Sequence, residues 1–375
     1  MAAMDARALH SRTAPARRGL SLVELLTVLG IIGLLIALLL PAVNSVRESA
    51  RRMQCKSNLR QLGIALQSFL TARGRFPASI QYDEAKADYP DDITIYKPNW
   101  VVSILPFMEQ QTVYDSFNMA KPLEHPSNEA ARGTDLPIML CPSEPNAEVK
   151  FGDAARKGNW ARGSYGANAC LGLVYNYRKS DNLLPWVLPC GGPRMPYWND
   201  KYTRGIMGGN VAVSTRQITD GLSKTILVTE LRVGLGSLDL RGTWALGLPG
   251  ASSLWGHGMG KYAGPNGASG DNISICQDIL DSVGEAKLKQ EYMTCGPPDD
   301  PSTNKATARS VHAFGVHACM ADGSVRFIGD GVETKGYQFD MVTEPLMGPD
   351  NMGVWERLNA SGDGMPIDDA SLDVE

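Results

Sequence analysis

The chain has no Cys-x-x-Cys pair, no Gly-x-Ser-x-Gly elbow, no Walker loop, no His-Glu-x-x-His and no dinucleotide fingerprint. Those absences remove the zinc knuckle and the commonest sequence-legible hydrolase, phosphate-binding and redox sites. An excess of positive charge is missing too. Its 36 Lys and Arg against 40 Asp and Glu leave a formal net charge of -4, so nothing electrostatic argues for a nucleic-acid partner. There is neither a tandem repeat nor a low-complexity tract. The seven cysteines, at positions 55, 141, 170, 190, 276, 295 and 319, are odd in number and cannot all pair within one chain. An oxidising compartment would allow three bridges, and the sequence does not choose among the pairings; Cys170 with Cys190 and Cys276 with Cys295 are only the shortest closures.

What is present is an ordinary globular composition over 375 residues, 43% hydrophobic and 20% charged, ample to bury a core as one large domain or two smaller ones. The 39 Gly and 23 Pro favour a turn-rich body over a helical bundle. Residues 20–40 stand apart. Fifteen of these twenty-one are Leu, Ile or Val, and Glu24 is their one ionisable residue. At about 1.5 Å per residue the run spans roughly 31 Å, the thickness of a bilayer's hydrocarbon core. Fifteen apolar residues at about -0.3 to -0.6 kcal/mol each outweigh one carboxylate at roughly +3 kcal/mol, so the segment is expected to insert. A cleaved secretory signal has a shorter apolar region and an Ala-x-Ala-like exit, whereas this run leads into Pro41-Ala42-Val43-Asn44. A plain single-pass anchor accounts for the length and not for the acid.

The third reading accounts for both. Arg17-Arg18-Gly19-Leu20 followed by Glu24 resembles the N-terminus of type IV prepilins and type II secretion pseudopilins. The resemblance implies a basic leader over 1–19 and a prepilin peptidase that cuts on the cytoplasmic side after Gly19. It implies Leu20 as the methylated new N-terminus, where the family usually carries Phe. Glu24, fifth after the cut, would then be an assembly residue that meets the cationic N-terminus of a neighbouring subunit, in keeping with the cost of an unpaired acid in lipid. Basic residues flank both ends of the span (Arg7, Arg12, Arg17 and Arg18 before it; Arg47, Arg51, Arg52, Lys56 and Arg60 after it). The positive-inside rule is therefore indecisive. A cytoplasmic N-terminus, a single inner-membrane pass and a head outside the cytoplasm rest on the resemblance.

Beyond Pro41 the helical composition continues to about residue 75. Pro41 is expected to kink the helix, and Leu59, Leu62, Leu66, Phe69 and Leu70 form one apolar face, read as helix core. Gly74 and Pro77 are stop signals. The basic cluster over 47–60 suits lipid headgroups or a solvated face equally.

The soluble head is expected over 76–345, with a loop-rich insert at about 146–308 and an acidic, solvated tail over 346–375. Residues 107–118 read as a short helix. Residues 136–145 read as a buried strand, Thr225–Val233 as a strand after a turn at Asp220-Gly221, and 250–308 as long surface loops. The clearest local pattern is 310–330. A two-residue turn at Asp322-Gly323 would pair Met320 with Val325 and Ala318 with Phe327 on an inner face, leaving Cys319 and Arg326 outside.

Nine residues separate His312 from Asp322-Gly323. That spacing resembles the C-terminal His-(nine residues)-Asp-Gly motif of a large bacterial prepilin-like family, catalogued as domain of unknown function 1559 and as solute-binding protein family 10. QCKSNLRQLGIALQSF, CPSEP, GSYGANA and ITDGLSKT resemble the same family in the same order. The resemblance implies an α+β fold: a pilin-like long N-terminal helix, transmembrane in its first half, packed on a loop-rich, mainly antiparallel β head. It implies no established activity for His312, Asp322 and Gly323.

Chemistry is expected to be absent. In an unbroken strand His312 and His317 would point to opposite faces, and Asp322 would bond its own turn, so a metal there is declined in favour of a structural role. His125 and His257 are isolated, and His10 lies in the expected leader. Asp220 and Glu230, flanking a turn and its strand, are a carboxylate pair with no other sign of a glycosidase. No cofactor is expected. Calcium is held in reserve because pseudopilin heads use a loop ion, although Asp299-Asp300 and Asp363, Asp368 and Asp369 lack a ligand ladder. The expected partners are the peptidase, the inner membrane, and copies of this chain or other pilin-like subunits. A membrane-tethered solute-binding or adhesive protein is the alternative. Its motive is the aromatic group Trp160, Tyr165, Tyr175, Tyr177, Trp186, Tyr197, Trp198 and Tyr202, which would suit a glycan or peptide ligand or else a packed core.

Overall fold

The computed structural model describes residues 21–82, 96–152, 158–171, 196–256, 264–267, 271, 273, 276–295, 305–336 and 348–368. The expected leader over 1–19 and the expected cut between Gly19 and Leu20, and Tyr175, Tyr177 and Trp186, lie outside them, and the side chain of Tyr197 is not described. The chain forms an α+β structure in two units, 1–50 and 51–375. Its helices are α1 (Leu22–Arg73), α2 (Trp100–Ile104), α3 (Gln111–Asp115), α4 (Glu129–Arg132), α5 (Pro196–Asn199), α6 (Cys276–Val283), α7 (Glu285–Gln290) and α8 (Val354–Asn359). Its strands are β1 (Gln81–Tyr82), β2 (Tyr96–Lys97), β3 (Tyr165–Cys170), β4 (Ile226–Glu230), β5 (Ser253–Trp255), β6 (Gly315–Met320) and β7 (Val325–Gly329).

Within the first unit α1 runs through Pro41 as one helix, with Leu22 to Leu40 exposed along its length. It is long and apolar enough to cross a membrane. In the second unit its character inverts. Cys55, Leu59, Leu62 and Leu66 are fully buried, and Phe69 and Leu70 pack against the same core, as the three-and-four spacing predicts. The helix stops where expected: Gly74 takes a left-handed φ of 75° and its N–H bonds the Leu70 carbonyl at 2.7 Å.

The central sheet has the order β5-β3-β4-β6-β7, with β5 parallel to β3 and the other pairings antiparallel. Core lies on both faces, and β4, β6 and β7 contribute residues to each, with a bulge between Ile226 and Val228 breaking the alternation on β4. Val228 on β4 and Cys319 on β6 join the core that contains the α1 leucines. Ile226, Val316, Ala318, Met320 and Ile328 join a smaller core with Val354, Trp355 and Leu358 of α8.

Four expectations need correction. The β6–β7 turn is one residue longer than the Asp-Gly rule predicts. Cys319 pairs with Val325 and His317 with Phe327, and Gly323 at φ 84° closes a three-residue loop over 321–323. That register puts Cys319 and His317 on the face shared with Val325 and Phe327, and leaves Phe327 exposed. Residues 136–145 hold a 3-10 turn at Pro137–Met139 and no strand, because Pro137 lacks the ladder donor. The 250–308 region is not surface loop alone: β5 is a buried sheet edge, and α6 and α7 follow, with Cys276–Cys295 bridged. Buried arginines hold this region. Arg241 and Arg309 both pair with Asp271 at 3.1 Å, while in the loop before it Arg162 donates to the carbonyls of Gly236, Asp239 and Arg241. Finally, residues 348–368 are not a solvated tail, since α8 buries Trp355 and Leu358 completely.

Trp355→Ala is expected to cost about 3–5 kcal/mol, the range for truncating a buried aromatic. Urea unfolding of the detergent-solubilised chain measures it; a change under 1 kcal/mol would mean α8 contributes little to the fold.

Candidate functional site

Under α1, the face of β6 that the corrected register turns inward gathers most of the buried polar chemistry of that region. Glu230 ends β4, which pairs with β6, so its carboxylate reaches His317 on the neighbouring strand. Oε2 accepts the His317 backbone N–H at 2.8 Å, and Oε1 lies 3.2 Å from His317 Nδ1 and 3.8 Å from His312 Nε2. His312 precedes β6, and the strand does not extend back to it. Phe314, at φ 72°, turns the chain before Gly315, and the two imidazoles meet edge to face at 5.9 Å. Here the expectation of opposite faces fails, because its premise of an unbroken strand fails. Burial alone raises the Glu230 carboxyl. The His317 hydrogen bonds and the electrostatic attraction of His317 and His312 outweigh it, and the group ends below the ordinary carboxylate range.

The third element of the cluster is a disulfide. Cys55 on α1 is bridged to Cys141, closing a separation of 86 residues. His312 Nε2 lies 3.4 Å from Cys141 Sγ. Neighbouring residues seat the bridge: Asn58 Nδ2 donates to the Leu140 carbonyl at 3.0 Å, the Cys141 N–H donates to Ser164 Oγ at 3.1 Å, and the Tyr165 hydroxyl donates to the Cys55 carbonyl at 3.4 Å. Cys55, Cys141, Glu230 and His312 are all buried, and one donor atom from each lies within 4.8 Å of the others.

Asp322 is not part of this cluster. Its carboxylate accepts the Ser324 N–H at 2.8 Å inside its own turn, as expected. Gly323 faces α1 instead. A Cβ at Gly63 would meet Cys319 Sγ at 2.7 Å and the Gly323 backbone at 3.3 Å, while Gln67 donates to the Ala321 carbonyl at 2.5 Å. His312 and Asp322-Gly323 are thus two ends of one contact with α1. The first sits at the Cys55 bridge, the second about two to three helical turns further along, opposite Gly63 and Gln67.

The remaining expectations sort as follows. Glu24 lies in the first turn of α1, where it accepts the Ser21 N–H at 2.9 Å while Ser21 Oγ accepts the Glu24 N–H at 3.2 Å. This reciprocal cap is legible in the sequence as Ser-x-x-Glu. Asp220 accepts the backbone N–H groups of Asp363 and Gly364, while Glu230 belongs to the histidines, so each carboxylate of the weighed pair has its own bonds. Burial pushes Asp363 up to about 6. Its Oδ1 accepts the Met365 N–H at 2.6 Å, so Asp363 serves the local backbone; Asp299, Asp300 and Asp369 lie outside the described residues. Trp160, Tyr165 and Trp198 are buried in the main core. His125 caps a 3-10 turn through Ser127; His10 and His257 lie outside the described residues.

A long N-terminal helix fit to cross a membrane, docked in its second half on a mixed five-stranded sheet, defines an α+β protein compatible with a membrane anchor. Residues 44–335 match the family described as Protein of unknown function (DUF1559), and the chain belongs to that family. No curated protein and no solved structure matches the chain.

Glu230→Gln is expected to cost about 3 kcal/mol near neutral pH, since it removes the charge that faces two buried imidazoles. The wild-type carboxyl is held below its ordinary value of 4.5, so its contribution is complete above that value and is lost as the pH falls through the lower folded value. The gap between the two proteins should therefore narrow in acid. Urea titrations at neutral pH and below 4.5 test this, and a constant gap would contradict it.

Proposed function

We propose that the chain is a non-enzymatic, pseudopilin-like envelope protein: cut after Gly19 by a prepilin peptidase, held in the inner membrane by α1, and presenting its head outside the cytoplasm. The observation that carries the reading is the change of character along one helix. From Leu22 to Leu40 the side chains of α1 are exposed and, Glu24 and Thr27 apart, nearly all apolar, whereas between Cys55 and Leu66 one face of the helix, with Leu59, Leu62 and Leu66, is core. A secretory signal or a simple anchor needs no such second half. Two bridges, Cys55–Cys141 and Cys276–Cys295, suit an oxidising compartment for the head.

In this reading Leu20 is the methylated N-terminus and Glu24 pairs with the cationic terminus of a neighbouring subunit, copies of this chain or related pilin-like proteins. An acid in hydrocarbon costs several kcal/mol unless it is paired, so subunit contact in the membrane relieves that cost. The solute-binding or adhesive alternative loses part of its motive, because Trp160, Tyr165 and Trp198 are core rather than platform.

Intact-mass analysis of the native protein should show a chain that starts at a methylated Leu20; an intact Met1, or a start beyond Ala42, would refute the reading. Because Glu24 also caps α1, Glu24→Ala confounds two roles. Glu24→Gln keeps a capping-box side chain and removes the charge. It is expected to leave membrane insertion intact and to reduce crosslinked oligomers severalfold; an unchanged oligomer ladder would limit Glu24 to capping.

A further inference from the structure

We propose that the Cys55–Cys141 bridge, together with Glu230 and His312, is a convertible site that in its reduced form binds one zinc-class divalent cation through two thiolates, one imidazole and one carboxylate. A covalent clamp between α1 and the 141 loop needs neither an imidazole 3.4 Å from one sulfur nor a buried carboxylate 3.8 Å from that imidazole. Four donors from four distant segments converge within 4.8 Å, and among the described residues this is the one group of His, Cys, Asp and Glu so placed. Two thiolates with nitrogen and oxygen donors are the set that tetrahedral zinc takes, with zinc–sulfur bonds of about 2.3 Å and zinc–nitrogen or zinc–oxygen bonds of about 2.0–2.2 Å. Thiolates on such an ion stand roughly 3.8 Å apart, so cation and disulfide exclude each other. His317 Nδ1, 3.2 Å from Glu230 Oε1, supplies the outer bond that orients the carboxylate ligand.

The conversion balances. A small dithiol gives two electrons and two protons to the Cys55–Cys141 bond and becomes a disulfide itself, leaving two thiols. The cation then displaces both thiol protons to solvent and takes the His312 nitrogen and one Glu230 oxygen. Helix α1 stays pinned to the 141 loop in either state, covalently when oxidised and by coordination when reduced. With all four ligands buried and drawn from the chain, the site has the closed character of a structural centre.

The test uses the full chain in detergent, reduced with excess dithiol, desalted without oxygen and titrated with cobalt(II) alone. One equivalent should produce the thiolate-to-cobalt charge-transfer band with tetrahedral visible bands, and equimolar zinc should erase them. The oxidised chain should give neither. Cys276→Ser/Cys295→Ser should retain the bands, Cys55→Ser/Cys141→Ser should lose them, and His312→Ala should weaken cobalt binding at least tenfold. Should these variants fail to fold, zinc should still raise the Tm of the reduced wild-type chain and leave that of the oxidised chain unchanged. Absence of a charge-transfer band in the reduced wild type, its survival without Cys55 and Cys141, or an equal zinc effect on both redox forms would overturn the proposal.

Discussion

Helix α1 meets the sheet at a place where a methyl group has no room. At position 63 a Cβ would collide with the sulfur of Cys319 and press on the backbone of Gly323. With glycine there, helix and turn lie backbone against backbone, and the leucines on either side fill the space along the helix. Gln67 then reaches the Ala321 carbonyl, and the disulfide at Cys55 lies near His312. The Gln67 bond, one turn from Gly63, goes with that close approach, and the bridge at Cys55 fixes the same helix at a second point.

A sheet covered on both faces has little tolerance for uncompensated polar groups, and the distribution of charge follows from that. Glu230 and the two histidines form a compact group beneath α1, each supplying what burial would otherwise deny the others. Elsewhere in the head, arginines satisfy the carbonyls of loops that have no ladder of their own. Fixed hydrogen bonding replaces regular structure there, which is why a stretch rich in Gly and Pro can still be interior.

Much of the long helix was legible. The leucine spacing over 59–70, the glycine stop at 74 and the apolar run before Pro41 are local patterns, and local patterns survive folding. The hairpin was legible as a hairpin but not in its register. One residue in turn length decides which face every side chain takes, and Asp-Gly supports both a two-residue turn and a three-residue turn closed by a left-handed glycine. Trp355 in a stretch whose acids suggested solvent was missed, because the surface that buries it comes from Val316, Ala318 and Ile328. The site was half visible. His312, Asp322 and Gly323 could be picked out by spacing, whereas Glu230 read only as a carboxylate weighed with Asp220 and not as the partner of the histidines.

By itself, the sequence determined an α1 with two characters and a hairpin over 310–330, and it picked out the spacing of His312 and Asp322-Gly323 without saying what that spacing does. Those follow from composition and periodicity, which depend on neighbours in the chain. Tertiary structure decided that Cys55 takes Cys141, that His312 and His317 share one carboxylate, and that the Asp-Gly turn lies on Gly63. Each is a meeting of segments separated by tens to hundreds of residues, and only packing in three dimensions selects among such pairings.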